Sequence, residues 1–395
     1  MQRNKTYQYV LALGHLCSDI NQSILSALLP FLIAAYNYDY ATAAMLVTVS
    51  NVVGSIVQPF FGTIADKYNK PFMISLGVLL AGGGMAITGF ISNFYGLCIA
   101  VMISGIGVAM FHPQSAKLVN QVSDQSKQGK GMSIFSFGGK IGFTLGPILT
   151  SFLIVNFGMR GTIIFLVPSM IFGLIYSFYN KDFEALEEVE EEKKQEVKGE
   201  DNWRGFINLC VVVFGRSIIT NGMSTYLALY FIQVFLQTES FSNTLVSVYY
   251  GFGACATLVG GMLADRLGYR KMVRLSFLVL LPAMFLFVYT SHYFMALLML
   301  IPIACGDSFS YSPMVVLGQQ YLPNHTGFAS GITLGLAVSI GAVFCPILGT
   351  IGDLYGLKMS MYVLVIVAAI CVLASALLPE IEKKKSMTLE TQTNS

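Results

Sequence analysis

The sequence predicts an all-α membrane protein in which twelve transmembrane helices form two pseudo-symmetric six-helix bundles. Three observations carry this prediction. Of the 395 residues, 55% are hydrophobic and 11% are charged, whereas soluble domains carry about 25% charged residues. The chain contains twelve apolar runs long enough to cross a bilayer, which takes about 20 residues. A short loop motif also occurs twice, half a chain apart.

The twelve runs are separated by short turns, such as residues 92–93 and 157–159, so neighbouring helices are expected to be antiparallel. Arg3 and Lys5 precede the first run, but that run is too long for a signal peptide and contains Asp19. We therefore expect it to remain attached. The predicted spans are 7–35, 42–65, 71–91, 94–117, 131–156, 160–179, 204–235, 243–264, 273–291, 293–322, 327–351 and 359–379.

One long polar segment divides six spans from six. Ten of the 21 acidic residues lie between Asp182 and Asp201, a composition that cannot bury itself and favours a solvated connector. Residues 181–203 are therefore predicted as an acidic cytoplasmic linker, with a helix over 183–197. The predicted domains are an N-terminal six-helix bundle (1–180), a C-terminal six-helix bundle (204–380) and a cytoplasmic tail (381–395).

The basic residues predict the orientation. If the N-terminus is cytoplasmic, all but four of the 23 Lys and Arg residues fall at or near the cytoplasmic side. This distribution satisfies the positive-inside rule. The sequence thus predicts a multi-pass protein of the cytoplasmic membrane with both termini in the cytoplasm.

The repeated loop motif relates the two halves at an offset of 199 residues, which indicates a duplicated architecture. Glycines in the motif allow helices to approach closely, and its aspartates can accept hydrogen bonds from a neighbouring helix N-terminus. The residues are Gly62, Asp66 and Lys67 in the first copy (62–70) and Gly261, Asp265 and Arg266 in the second (261–271).

Both copies resemble the signature loop of the major facilitator superfamily, which occurs between the second and third helices and again between the eighth and ninth. Helix number and linker position agree with that family, which is built from two parallel halves. The resemblance implies transport by alternating access, with the two loops as a latch for the outward-open state. For the basic residues the alternative is a topology signal. The first copy has Asn69 where the signature has glycine.

A glycine-rich stretch in the fifth span resembles the motif of antiporters in this superfamily, which favours export over uptake. Glycines spaced four apart form a smooth helix face for close packing, and a proline bends the helix that follows. These residues are Gly138, Gly142, Gly146 and Pro147.

Three further stretches, 13–22, 105–116 and 131–136, resemble the fosmidomycin-resistance group of efflux transporters within the superfamily. The chain departs from that group in two places. Gln114 follows the His-Pro pair where an acidic residue is common, and Lys140 stands where Asn is common. These departures leave the substrate open.

Ionisable residues within the spans mark the candidate site, because each costs roughly 2.5–3.5 kcal/mol by insertion scales and persists mainly beside a cavity or a partner. Asp19 and Arg216 lie about 12 residues into their spans, near the midplane at about 1.5 Å per residue. Asp307, Lys140 and His112 are the others. Charges from both halves therefore converge on the centre.

We assign proton coupling first to Asp19, because a low dielectric favours the protonated form that a proton carrier needs. Asn21 and Gln22 are its expected neighbours. A hydrogen-bonded structural carboxylate is the alternative. Asp307 is a second candidate, unless it neutralises Arg216 or Lys140. His112 precedes Pro113, so its imidazole either relays protons or contacts substrate, or else satisfies a carbonyl freed by the proline.

Substrate binding is assigned to Asn21, Gln22, Lys140 and Arg216. The two cations could bind an anionic group such as a phosphonate, Arg216 in a bidentate manner; an interior ion pair is the competing interpretation. Five tyrosines in the second half are interpreted as packing and interface aromatics: Tyr226, Tyr230, Tyr249, Tyr250 and Tyr311.

The leading hypothesis is a proton-coupled exporter of small, drug-like and anionic compounds, acting as a monomer with protons, substrate and the lipid bilayer as partners. The alternative within transport is proton symport for uptake of a small organic solute. A membrane enzyme or sensor would need clustered catalytic groups, yet the four histidines are dispersed along the sequence. No cofactor, metal site or nucleic-acid partner is predicted.

Overall fold

The computed structural model describes residues 2–36, 38, 40–68, 70–186 and 199–380. Within these ranges the chain is helical and contains no β-strand, which confirms the predicted all-α class. The acidic middle of the predicted linker, residues 187–198, and the tail 381–395 lie outside the described residues, as does Asn69. Most of the helix predicted over 183–197 falls in that gap.

We number the membrane helices α1 to α12. In the first half they are α1 (Gln2–Tyr36), α2 (Tyr40–Ile56, continuing as Gln58–Lys67), α3 (Phe72–Ile87), α4 (Phe94–Val122), α5 (Gln128–Phe157) and α6 (Leu166–Ser177, preceded by a 3-10 stretch Met159–Phe165). In the second half they are α7 (Trp203–Phe235), α8 (Glu239–Leu267), α9 (Tyr269–Tyr289), α10 (Tyr293–Phe309, continuing as Tyr311–Tyr321), α11 (Thr326–Ser330, a π-helical stretch Gly331–Leu336, then Ala337–Tyr355) and α12 (Leu357–Ala376).

By length and apolar composition, eleven helices in the described part of the chain could cross a membrane. The remaining one is α1, which has 35 residues and carries a polar stretch at 18–22. Its packing inside the first bundle makes it the twelfth helix of the fold.

Three clusters of buried apolar residues hold the fold together. One is built from buried residues between Phe206 and Leu378. The other two clusters lie between Tyr7 and Phe183 and take in three side chains from the second half, Val315, Val316 and Leu334. Each half therefore buries its own core, and the halves meet where α10 and α11 reach across.

A positive backbone angle explains one glycine of the repeated motif. Gly268 has φ +93° and joins α8 to α9 without an intervening loop. A side chain there would be strained, so glycine suits the second copy of the turn.

The ends of the predicted linker pack on the bundles, in contrast to the solvated connector that the charge run suggests. Phe183 is fully buried, with its ring centroid 5.1 Å from that of Tyr7. The Tyr7 hydroxyl donates to Asp182 at 2.9 Å. At the far end the Asn202 amide donates to the Tyr321 carbonyl at 2.7 Å. At the start of the linker, burial of the Phe183 ring therefore holds the chain against the first bundle, although the acidic residues that follow favour solvent.

Candidate functional site

The first copy of the repeated motif joins the two halves through the carboxylate of Asp66. Its Oδ1 accepts a hydrogen bond from the Gly327 amide at 2.8 Å, and its Oδ2 accepts one from the Phe328 amide at 2.9 Å. These amides belong to the first turn of α11, where unpaired N–H groups and the helix dipole favour a negative charge.

The second copy repeats the arrangement in the opposite direction. Asp265 accepts from the Gly129 amide at 2.8 Å and from the Lys130 amide at 2.9 Å, in the first turn of α5. The Tyr269 hydroxyl also donates to Asp265, at 2.8 Å. Each half therefore offers one carboxylate and one helix N-terminus to the other. We call the end of the molecule that carries these contacts the motif end.

The glycines of the motif lie where the halves touch. A methyl group on Gly62 would overlap the backbone of Gly327, and one on Gly261 would overlap the backbone of Gly129. Lys67 and Arg266 are instead exposed, and the Lys67 ammonium lies 5.2 Å from the ring centroid of its neighbour Tyr68. The aspartates and glycines, rather than these two cations, make the contact between halves.

A pair of amide side chains also crosses the motif end. Asn120 Nδ2 donates to Gln319 Oε1 at 2.6 Å, and Gln319 Nε2 donates to the Ala116 carbonyl at 3.1 Å. The two residues are 199 positions apart, the same offset as the motif. They are therefore equivalent residues of the two halves that meet each other, a contact that the sequence analysis missed although the offset was available.

The centre of the first half contains a cluster of three titratable side chains. Asp19 Oδ1 lies 3.1 Å from His112 Nε2, and Asp19 Oδ2 lies 3.2 Å from His15 Nε2. The three residues are 5%, 6% and 3% exposed, respectively. We call these three residues the carboxyl–imidazole cluster. Two of the four histidines, His15 and His112, are thus distant in the sequence but adjacent in space.

Each imidazole of the cluster is held by its second nitrogen. His15 Nδ1 lies 2.8 Å from the Phe135 carbonyl of α5, and His112 Nδ1 lies 3.0 Å from the Val108 carbonyl one turn earlier in α4. His112 thus contacts both a main-chain carbonyl and Asp19. His15 was not among the predicted site residues.

Asn21, one of the two expected neighbours of Asp19, faces α6 instead. The Asn21 amide donates to the Cys17 carbonyl at 2.8 Å and to the Ser169 hydroxyl of α6 at 3.1 Å. Gln22 is partly buried on α1. The predicted contact between Asp19 and Asn21 is therefore wrong, because positions two residues apart on a helix do not face each other. For Gln22, three residues from Asp19, the expectation stays a prediction.

The glycine ridge of α5 lies directly against α1. Methyl groups on Gly138, Gly142 and Gly146 would overlap the α1 backbone or the Ser23 hydroxyl. A methyl group on Gly139 would lie 2.5 Å from Asp19 Oδ2 and 2.6 Å from His15 Nε2. The ridge thus brings α5 against the cluster, while Pro147 lies within a continuous α5.

In the second half, Arg216 and Asp307 form a buried ion pair. Arg216 Nε lies 3.4 Å from Asp307 Oδ1 and donates to the Asp307 carbonyl at 2.7 Å. The hydroxyls of Thr220 and Tyr249 donate to the same carboxylate at 2.8 and 3.0 Å. Tyr249, which was interpreted as a packing aromatic, is thus a hydrogen-bonding member of this network.

Lys140 differs from Arg216 because its ammonium contacts neutral oxygens of the other half. It donates to the Gly253 carbonyl at 3.2 Å and to the Ser308 hydroxyl at 3.3 Å. Among the described residues, no carboxylate oxygen lies within 4.0 Å of Lys140 Nζ. The ring of Tyr311 lies between the two cations, 5.9 Å from Lys140 Nζ and 4.8 Å from Arg216 Cζ.

Comparison with known proteins decides the family. A family model described as Major Facilitator Superfamily matches residues 11–344 and again 206–393. The chain belongs to the major facilitator superfamily. It is therefore a multi-pass membrane transporter and not an enzyme, as the sequence predicted.

Among the relatives of this chain are a named resistance protein, an uncharacterized transporter and a named efflux pump. The chain is 25% identical to the fosmidomycin resistance protein of Escherichia coli (strain K12) over 350 residues, which cover 87% of this chain and 85% of that protein. It is 25% identical to YfnC, an uncharacterized transporter of Bacillus subtilis (strain 168), with 95% and 93% covered. It is also 27% identical to the multi-drug resistance efflux pump PmrA of Streptococcus pneumoniae serotype 4, with 58% and 59% covered.

Solved superfamily structures share the fold. The transporter FucP in its outward conformation matches with a TM-score of 0.74 at 13% identity, covering 95% of this chain and 99% of that one. The human organic anion transporter MFSD10 matches with a TM-score of 0.72 at 17% identity, covering 94% and 99%. At these identities the likeness shows the fold alone.

Proposed function

We propose that this superfamily member exports small anionic compounds in exchange for protons. The observation that carries the proposal is Lys140, an interior cation at the junction of the two halves whose hydrogen bonds go to neutral oxygens. A cation without a carboxylate partner is costly inside a membrane. An anionic substrate group that displaces the Gly253 and Ser308 contacts would compensate it, in one domain arrangement and not in the other.

The second cation supports binding indirectly. Arg216 is already neutralised by Asp307, so its free energy gain from an anion is smaller than that of Lys140. It helps to hold Tyr311 in place beside Lys140. Asp307 accordingly neutralises Arg216. We therefore assign proton coupling to Asp19 and His112.

Export is favoured by the relatives named above, of which one carries fosmidomycin resistance in its name and another is a named efflux pump. The glycine ridge against α1 is a further supporting feature. We propose that the protein works as a monomer in the cytoplasmic membrane, with both termini and the acidic linker on the cytoplasmic side, where Asp66 and Asp265 latch the motif end closed.

The test is uptake of labelled fosmidomycin into everted membrane vesicles with an imposed pH gradient. Accumulation when the lumen is acid supports export by antiport, whereas accumulation only with an alkaline lumen would support proton symport for uptake. Asp19→Asn should abolish uphill accumulation. Uphill transport at the normal rate in that variant would contradict proton coupling at Asp19.

The anion site is tested by Lys140→Met, which keeps the side-chain length and removes the charge. Loss of a charged hydrogen bond, worth about 1.5–3 kcal/mol, should raise the KM for fosmidomycin about 10- to 100-fold. Lys127→Met is the matched control, because Lys127 lies on the surface 3.8 Å from Asp124. An unchanged KM in Lys140→Met would contradict the anion site.

A further inference from the structure

The hydrogen-bond pattern of the carboxyl–imidazole cluster fixes where its protons can be. Main-chain carbonyl oxygens only accept hydrogen bonds, so the Nδ1 atoms of His15 and His112, which face the Phe135 and Val108 carbonyls, must both carry hydrogen. In the neutral imidazole the other nitrogen is then a bare acceptor. Both Nε2 atoms are therefore the titrating positions, and both face Asp19.

The two contacts to Asp19 each require a proton. At 3.2 and 3.1 Å, a contact between an imidazole nitrogen and a carboxylate oxygen is attractive only when one of the two atoms holds hydrogen. With no proton, two lone-pair contacts face each other in a nearly water-free site, where unsatisfied polar groups are costly. One proton satisfies one contact, and two protons satisfy both.

We propose that His15, Asp19 and His112 form a single site that holds up to two protons, with His15 as a proton-holding residue in addition to Asp19 and His112. On release, one N–H bond breaks at each Nε2, the electron pairs remain on nitrogen, and two protons leave. The use of this site for export rests on the proposed function, but the binding of the protons does not.

The surroundings of the cluster do not supply a competing partner. Its net charge is +1 with both protons and −1 with none. From the packed helices, α5 contributes Lys140, whose ammonium points to the other half, and α10 contributes the phenol of Tyr311. In the described part of the chain no second carboxylate contacts the three residues.

The effect of proton release would be transmitted to the substrate site by a movement of α5. Without protons the repulsive contacts favour separation of α1 from α4. Because α5 packs closely against Asp19 and His15 at Gly139, we expect α5 to move with α1. The next residue of α5 is Lys140, so the state of the cluster and the position of the anion site are mechanically linked.

The proposal is tested by 15N NMR of histidine-labelled, full-length protein in nanodiscs, titrated from about pH 5 to about pH 9 to bracket the imidazole range. The chain has four histidines, so assignment by single substitution is tractable. We expect His15 and His112 to keep Nδ1–H at every pH and to lose their Nε2 protons in two coupled steps, because two imidazolium charges in one buried site repel each other. His292→Gln is the control and should leave both resonances unchanged.

Two variants test the number of protons that the cluster exchanges. Gln in place of His15 offers a permanent N–H donor to Asp19, so His15→Gln should exchange one proton instead of two, at His112. In Asp19→Asn the side-chain amide donates to one imidazole and accepts from the other, so this variant should also exchange one proton.

Four results would overturn the proposal: a titration of either imidazole that is unaffected by substitution of the other, an Nε2–H neutral tautomer, one imidazole that never titrates, or resonances that respond to a chelator instead of to pH. The last would indicate a divalent metal ion, since the donor atoms of the three residues lie within 4.8 Å of one another. A two-proton titration combined with fosmidomycin flux that ignores the pH gradient would leave this proposal standing and contradict the proposed function.

Discussion

Single interior charges in this protein have three different kinds of partner. Asp19 is held by two imidazoles. Asp307 is held by a guanidinium and two hydroxyls. Among the described residues, Lys140 donates its hydrogen bonds to neutral oxygens. Because the cost of a charge in a membrane is met by its partner, the first two charges are accounted for within the chain, and Lys140 is the one that gains most from an external anion.

Gly139 provides a test of the fit around Asp19. Gly139→Ala would place a methyl group 2.5 Å from Asp19 Oδ2 and 2.6 Å from His15 Nε2. Overpacking of this kind costs about 1–3 kcal/mol, so the melting temperature in detergent should fall. Gly251→Ala is the control, since no atom lies within 4 Å of the added methyl there. Equal melting temperatures for the two variants would contradict the close approach.

Asp19 illustrates which features of the site can be predicted from the sequence and which cannot. Its depth in the first span follows from counting residues. Its partners follow from helix geometry: His15, four residues earlier, shares its face, whereas Asn21 points away toward α6. The signal for His15 was therefore present as an i, i+4 pair. The arrival of His112 from α4 required tertiary structure.

Whole elements are joined at the motif end by carboxylates that meet helix N-termini. Asp66 accepts hydrogen bonds from the first turn of α11, and Asp265 accepts them from the first turn of α5. Both interactions combine charge-assisted hydrogen bonds with the helix dipole. Their reciprocal placement means that opening the motif end must break both together.

Neutralising these carboxylates should therefore open the motif end. In Asp66→Asn/Asp265→Asn each side chain loses its charge and one acceptor oxygen, and a loss of about 1.5–3 kcal/mol per site favours separated halves. Spin labels on the two halves at this end should show a larger population of long distances. Asp124→Asn is the matched control, because Asp124 pairs with Lys127 within one half. Identical distance distributions would contradict the latch.

Helix number and order follow from apolar runs, but irregularities within helices do not. The π-helical stretch Gly331–Leu336 of α11 lies against the point where α2 is interrupted at Val57. Methyl groups on Gly331 and Gly335 would overlap Gln58. The two irregularities therefore accommodate each other across the halves, and a residue-by-residue pattern within either helix contains no such information.

At the scale of the whole molecule, the half-chain offset of 199 residues appears in the structure as reciprocal contacts, at Asp66 and Asp265 and in the Asn120–Gln319 pair. The duplicated motif was sufficient to predict two six-helix bundles. It was not sufficient to identify a substrate, because the site is built from single charges that have no counterparts at that offset.

Orientation can be tested on the whole molecule by cysteine labelling. With both termini in the cytoplasm, a cysteine at Ser92 should react with an impermeant maleimide in intact cells, and a cysteine at Asp124 should react only after permeabilisation. The physical basis is the concentration of basic residues at the motif end. The reverse pattern would contradict the proposed topology.

The contact of Asp265 with the other half also has a consequence for how this protein can vary. Asp265 accepts hydrogen bonds from the main-chain amides of Gly129 and Lys130. The side chain of Lys130 is exposed. Every residue except proline has such an amide, so position 130 can change freely while the contact persists. Paired substitutions between positions 265 and 130 should therefore be absent among relatives, although the two residues touch. Covariation would miss this contact between the halves.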